Sequence, residues 1–332
     1  MRWSKRARTI FISIGSALVL IVVVIISLAL GTTVTEFETL VRTGFCGTEG
    51  GRLWTIILLY RLPRTLLAAI AGAGLASSGL VFQCVLRNPL ADPYLIGIAA
   101  GGSLGAVISI VFFGERWVIG TSLSAFVGSL LAVVVVYGLA VARRGRDYVN
   151  TVILAGVMVG AVMNAVMLLV LSISDSDEKQ RIIFWLMGDF SVADYRKVSA
   201  AGLVLLVGWV CIYLNANRLN LLTTGDDTAA HLGLDVSKAR ALFMAVAAMI
   251  TGAIVSVSGT IGFVGLVVPH TMRLLFGPDN RVLLPASLIG GAAFLAASDC
   301  AARVAAYPVE LPVGVITILT GGPFFLYLLI RR

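Results

Sequence analysis

Apolar residues come in long unbroken runs along this chain, separated by short polar connectors. The runs Ile10 to Leu30 and Val118 to Ala142 each exceed the roughly 20 residues a helix needs to cross a hydrocarbon core of about 30 Å. Helix is the expected form, because in lipid every backbone N–H and C=O must be satisfied within the chain, and the period-2 alternation of a membrane barrel strand is not seen. The pattern predicts ten spans: Ile10 to Leu30, Thr65 to Leu86, Tyr94 to Phe113, Val118 to Ala142, Val149 to Ile173, Val198 to Leu214, Ala239 to Val257, Gly262 to Phe276, Leu283 to Ala302 and Leu311 to Ile330. The eighth is short and interrupted by Pro269. The first follows Arg2, Lys5, Arg6 and Arg8 as a signal peptide would, but its apolar stretch exceeds the roughly 7–15 residues of such a peptide, so it is read as a span.

Composition agrees: 59% of the 332 residues are hydrophobic and 13% charged, with mean hydropathy +0.99. So few charges leave a water-soluble domain without a surface. The expected class is therefore all-α and polytopic, one membrane domain over residues 1–332, with about ten transmembrane helices. An even count puts both termini on one side. Segments on that side hold 15 of the 25 basic residues and 6 of the 17 acidic ones. This bias predicts cytoplasmic termini in a bacterial inner membrane. The net charge of +8 then reports topology, and no basic face for nucleic acid is expected. Cys46, Cys84, Cys211 and Cys300 stand singly, without a redox or zinc spacing. Gly97, Gly101 and Gly105 recur every four residues, as do Gly156 and Gly160, which predicts close helix approach.

Candidate chemistry is sparse. Each of the four lysines follows Ser4, Glu178, Arg196 or Ser237, so the Gly-Lys of a phosphate-binding loop does not occur and the driving energy is expected from elsewhere. Gly101-Gly102-Ser103-Leu104-Gly105 fits the pattern of a hydrolase elbow, but it falls within a span and both histidines, His231 and His270, lie far along the chain. Neither histidine has a second metal-ligating residue at helical spacing on a credible shared face, so metal binding is not expected. The spans hold few ionisable groups, unlike ion-coupled carriers; Asp299, with Arg303 one turn on, is the exception. An intramembrane serine hydrolase and an ion-coupled carrier remain as alternatives.

Three polar regions stand out. Arg61-Leu62-Pro63-Arg64 places two guanidiniums around a proline suited to start a helix, as a clamp for carboxylates or as interfacial anchors. Arg87 to Pro93 sets two prolines in a tight cytoplasmic turn, either a gate or a connector. The longest cytoplasmic loop, Asn215 to Lys238, contains a segment that Thr224 or Asp226 would cap and Gly233 would end, giving a short surface helix, with or without a soluble partner.

At these residues the chain resembles the FecCD family of binding-protein-dependent ABC permeases, which import ferric siderophores, haem and cobalamin. The motifs run in order along nearly the whole sequence: Arg61 to Arg64, Gly79 with Gln83, Arg87 to Pro93, Leu95-Ile96-Gly97, Leu154-Ala155-Gly156, Trp185 to Gly188, Gly225 to Gly233, Gly262 to His270 with Arg273, and Glu310 to Gly314 with Gly322-Pro323-Phe324. The resemblance implies the BtuC-like (type II) importer permease fold of ten helices. It implies a dimer with a second permease subunit, identical or paralogous, and two cytoplasmic ATPases that carry the ATP and Mg, leaving this subunit without a cofactor. It also implies a periplasmic or lipid-anchored binding protein, docked on Arg61, Arg64 and Arg303. Leu222, Gly225, Asp226, Asp227, Ala229, Ala230, Leu232 and Gly233 are then the ATPase coupling segment, and Asn88, Leu90, Val149 and Asn150 the translocation gate. Met158, Met163, Asn164 and Met167, with span ten, are expected to line the pore. The cargo expected is a ferric siderophore, with cobalamin or haem as alternatives. At Val149 and Asn150 the sequence departs from the small hydroxyl residues of the cobalamin permeases.

Overall fold

The computed structural model describes residues 5–30, 54–114, 118–142, 148–306 and 309–330. Cys46 lies outside them. Among the described residues every regular element is helical: α1 (Lys5–Ala29), α2 (Leu62–Val85), α3 (Ile98–Phe113), α4 (Val118–Ala142), α5 (Tyr148–Ile173), α6 (Ser176–Met187), α7 (Tyr195–Leu214), α8 (Ala216–Thr223), α9 (Asp226–His231), α10 (Val236–Ser258), α11 (Val264–Phe276), α12 (Asn280–Val304) and α13 (Val313–Ile330). Each of the ten predicted spans coincides with one of these helices.

The body is built around α2, with α12, α10, α11 and α7 packed on it. The most apolar window of α2 is 83% buried, against 17% in α5 and in α7, so α2 is the interior helix and the other two present apolar faces outward. Glycine makes this packing possible. A Cβ on Gly72 would lie 2.0 Å from the carbonyl oxygen of Gly291 on α12, and one on Gly291 would lie 2.2 Å from that of Gly72, so the two backbones touch. Gly101 meets Gly128 of α4 in the same way, as its spacing predicted. Gly97 differs: it is a left-handed residue (φ 81°) joining a 3₁₀ turn, Pro93–Ile96, to α3, and so begins the helix instead of lying on its face.

Helix starts are set by aspartate. Asp194, Asp235 and Asp279 accept hydrogen bonds from backbone amides in the first turns of α7, α10 and α12. Asp235 also receives Lys238, and the amide and ammonium together hold its exposed carboxyl below the usual carboxylate range. Pro63 lies in the first turn of α2, as expected, but that turn continues without a break from a helix that begins at Trp54 and widens into a π-helical turn, Ile57–Arg61, ending at Arg61 itself. The wide turn fits a residue that has no N–H to donate.

Helix α11 has 13 residues and rises ~20 Å, so the bend between α10 and α11 lies within the depth of a ~30 Å core. Backbone groups there need partners from the protein. Tyr94 supplies them: its hydroxyl donates to the carbonyl of Ile261 (2.9 Å) and accepts from the amide of Ile261 (2.8 Å). Tyr94→Phe removes both and is expected to cost about 1–3 kcal/mol. An unchanged thermal midpoint in detergent would refute that role.

Candidate functional site

Two cavities flank α6. One, of about 780 Å³, is lined by Ser103 of α3, Asn164 and Met167 of α5, Leu186 at the end of α6, Thr260, and Gly314 of α13. The other, of about 880 Å³, lies on the Phe184 and Trp185 side of α6 and carries the charged groups Asp177, Arg181, Asp189 and Lys197. The first is mostly apolar, with a few hydroxyl and amide groups. On α5 its wall is the stripe Gly156, Gly160, Asn164, spaced by four, continued by Met167. Asn164, Met167 and the start of span ten are therefore at this cavity. Met158 is on the opposite face of α5, 58% exposed, and Met163 lies off the lining. Helical phase separates them: Met158 is two residues from both Gly156 and Gly160. The hydrolase pattern fails on backbone geometry, since Ser103 sits in the middle of α3 and not on a strand-to-helix turn.

The turn after α2 is tightly built. Arg87 adopts a left-handed conformation (φ 48°), the Asn88 side chain accepts the amide of Leu90 (2.9 Å), and Leu90 is 43% exposed. Val149 and Asn150 occupy the first turn of α5, half-buried and exposed respectively.

The segment expected to couple to an ATPase forms α8 and α9. Gly225 (φ 109°), with no side-chain cap, precedes α9, so neither Thr224 nor Asp226 caps it as expected. At the other end Gly233 (φ 85°) donates to Ala230 and Leu234 to Ala229, the paired bonds of a glycine-terminated helix. The expected residues divide by exposure. Leu222 (2%) and Ala229 (0%) are buried against the body, whereas Asp227, Ala230, Leu232 and Gly233 face outward. Burial of Leu222 and Ala229 fixes the segment and leaves the rest as its free surface. Asp226 pairs with Arg240 of α10 (2.5 Å) and with Arg87 (3.5 Å).

Arg61, Arg64 and Arg303, expected at an outer docking surface, turn inward. Arg61 donates to the carbonyls of Leu28 (3.0 Å) and Ala29 (3.4 Å); Arg303 donates to the carbonyls of Ser27 and Leu30 and to the Ser27 hydroxyl (2.6 Å). These carbonyls end α1 and have no intrahelical donor, which is where cations are favoured. Arg61 is 7% and Arg303 4% exposed, so in this conformation neither is presented for docking. Asp299, 1% exposed, sits between Arg303 (3.2 Å) and Arg64 (3.0 Å). The pairing of Asp299 with Arg303 follows the spacing seen in the sequence. Arg64 also holds Glu310 at 2.7 Å, and that pair reaches the surface.

Sequence reasoning missed α6, which walls both cavities. Its signal was present: Asp175 and Glu178 form a reciprocal capping box just before Ile182-Ile183-Phe184-Trp185.

A multi-pass helical body with a mainly apolar cavity between its helices is that of a membrane transport protein. The profile of the FecCD transport family matches residues 19–331, and the chain belongs to that family. It is 44% identical over 277 residues to the cobalamin import system permease protein of Halobacterium salinarum, covering 83% of this chain and 74% of the relative. It is 37% identical over 324 residues to the hemin transport system permease protein of Yersinia pestis, covering 96% and 95%. Among solved structures, a metal-chelate type ABC transporter in an inward-facing conformation superposes with TM-score 0.86 at 29% identity, over 97% of this chain and 99% of that one.

Proposed function

We propose that this protein is the permease subunit of a binding-protein-dependent ABC importer in a bacterial inner membrane, with both termini cytoplasmic. The observation that carries the proposal is the α8–α9 segment: a helix pair fixed to the body by buried Leu222 and Ala229 with a free face formed by Asp227, Ala230, Leu232 and Gly233. Such a face suits insertion into a cleft on a soluble ATPase. ATP binding there would switch the subunit, with a second permease copy, between outward and inward openings. A binding protein would deliver cargo at the outer surface near Arg64 and Glu310. Asn88, Leu90, Val149 and Asn150 would close the cytoplasmic exit.

The cargo proposed is a metal chelate of ferric siderophore type; the mostly apolar wall suits a bulky ligand that must leave again. Cobalamin is the second reading, favoured by the 44% identical relative. The test is isolation of the complex through a tag on the cognate ATPase. Leu232→Asp is expected to reduce recovered permease at least tenfold, and proteoliposomes holding the intact complex and binding protein are expected to take up iron-55 siderophore only with ATP. Uptake by the permease alone, or recovery unaffected by Leu232→Asp, would overturn the reading; uptake of cobalt-57 cobalamin instead would select the second cargo.

A further inference from the structure

The coupling helix is tied by charge to two separate elements. Asp226, its first residue, accepts from Arg240 at 2.5 Å and lies 3.5 Å from Arg87. Arg87 immediately precedes Asn88 in the turn that carries Leu90 and takes a left-handed backbone, so its side-chain position and the turn's shape are linked. Arg240 is 8% exposed and stacks its guanidinium on the Tyr148 ring, 4.7 Å from the centroid. Tyr148 opens α5, directly before Val149 and Asn150, and its hydroxyl donates to the Met244 sulfur (3.0 Å) one turn along α10 from Arg240. One carboxylate thus reaches both proposed constrictions through one cation each.

The neighbouring helix α8 is attached differently. Asn220 donates to Asp279 (2.9 Å) and accepts the amide of Asn280 (2.9 Å), and the Asn280 side chain accepts from the Cys84 thiol (3.4 Å). Those bonds join α8 to the packed α12–α2 pair and reach neither constriction.

We infer that Asp226 is the positioning residue that transmits movement of α9 to both cytoplasmic constrictions, through Arg87 to the Asn88–Leu90 turn and through Arg240 and Tyr148 to the start of α5. The inference rests on the reading of α9 as the ATPase contact. A carboxylate shared by two cations suits the task, because its attraction acts over several ångströms and survives small displacements that break a neutral hydrogen bond. The Arg87 pair is partly exposed on both sides and can lengthen or exchange, whereas Arg240 is packed on Tyr148 and so carries displacement of Asp226 to the ring.

The test uses a cysteine-free background carrying Leu90→Cys or Asn150→Cys, in complexes isolated through a tag on the ATPase so that every permease scored has its motor. Maleimide labelling rates are compared without nucleotide and after trapping with Mg-ATP and vanadate. With Asp226 intact, both sites are expected to change rate at least tenfold on trapping. Asp226→Asn abolishes the change at both. Arg87→Ala abolishes it at Leu90→Cys alone, and Arg240→Ala at Asn150→Cys alone, so the split pattern remains available if Asp226→Asn fails to fold. A purely structural role would alter the nucleotide-free rates and leave the ratio on trapping intact. Retention of the tenfold change at both sites in Asp226→Asn, or loss at both sites in either arginine variant, overturns the inference. Absence of any nucleotide-dependent change with Asp226 intact would instead count against ATPase coupling itself.

Discussion

Asp299→Ala is expected to destabilise the protein by about 3–5 kcal/mol, because it leaves buried Arg303 without its carboxylate partner and Arg64 with the half-exposed Glu310 alone. Asp299 is 1% exposed and Arg303 4%, so water cannot take over its role. Repulsion between two guanidiniums would then push Arg303 away from Ser27 and Leu30 and release the end of α1. Glu310→Ala is the contrast: its pair with Arg64 is 37% exposed on the glutamate side, and such partly solvated pairs are worth ~1 kcal/mol or less. Detergent-solubilised variants compared by thermal unfolding with a size-exclusion readout would show a large loss for Asp299→Ala and little for Glu310→Ala. Equal midpoints for the two would show that the buried network does not hold the outer end together.

The second large effect is expected at the contact of α2 with α12. Gly72→Ala places a methyl group 2.0 Å from the Gly291 carbonyl oxygen, a separation that only backbone movement can relieve. Overpacking of this kind costs about 1–3 kcal/mol, and Gly72→Val more. Gly291→Ala strikes the same point from the other side, so the double variant is expected to lose clearly less than the sum of the two single losses: helices already parted by one methyl accept the second. Strict additivity would mean that the two backbones are not in direct contact.

The sequence carries the spans because lipid imposes length and apolarity on each helix separately, so a run such as Val118–Ala142 identifies itself without reference to its neighbours. Helix α6 escaped that rule. Its first half is Ser-Asp-Glu-Lys-Gln-Arg, and a search for long apolar runs passes over it although Asp175 and Glu178 announce a helix start. Helix α9 was legible through Gly233, but its upstream cap was misplaced because Asp226 spends its carboxylate on Arg87 and Arg240. For the outer arginines, sequence shows a charge near a span end and nothing of what faces it. That Arg61 and Arg303 meet the carbonyls of α1 depends on residues more than thirty and two hundred seventy positions away. Met158 lies away from this cavity for a simpler reason: methionine content marks a helix, whereas the cavity follows the phase set by Gly156 and Gly160.

The clasp of Arg303 on the end of α1 also bears on biogenesis. Of the carbonyls at the end of α1, those of Leu28 and Ala29 find a donor in Arg61, whereas those of Ser27 and Leu30 meet Arg303 only when α12 has been synthesised and inserted. Until then those two carbonyls must be satisfied by headgroups, water or the insertion machinery. Chains truncated before Arg303 are therefore expected to hold α1 less firmly and to be cut faster by membrane proteases, so α12 serves as a latch on a helix synthesised well before it.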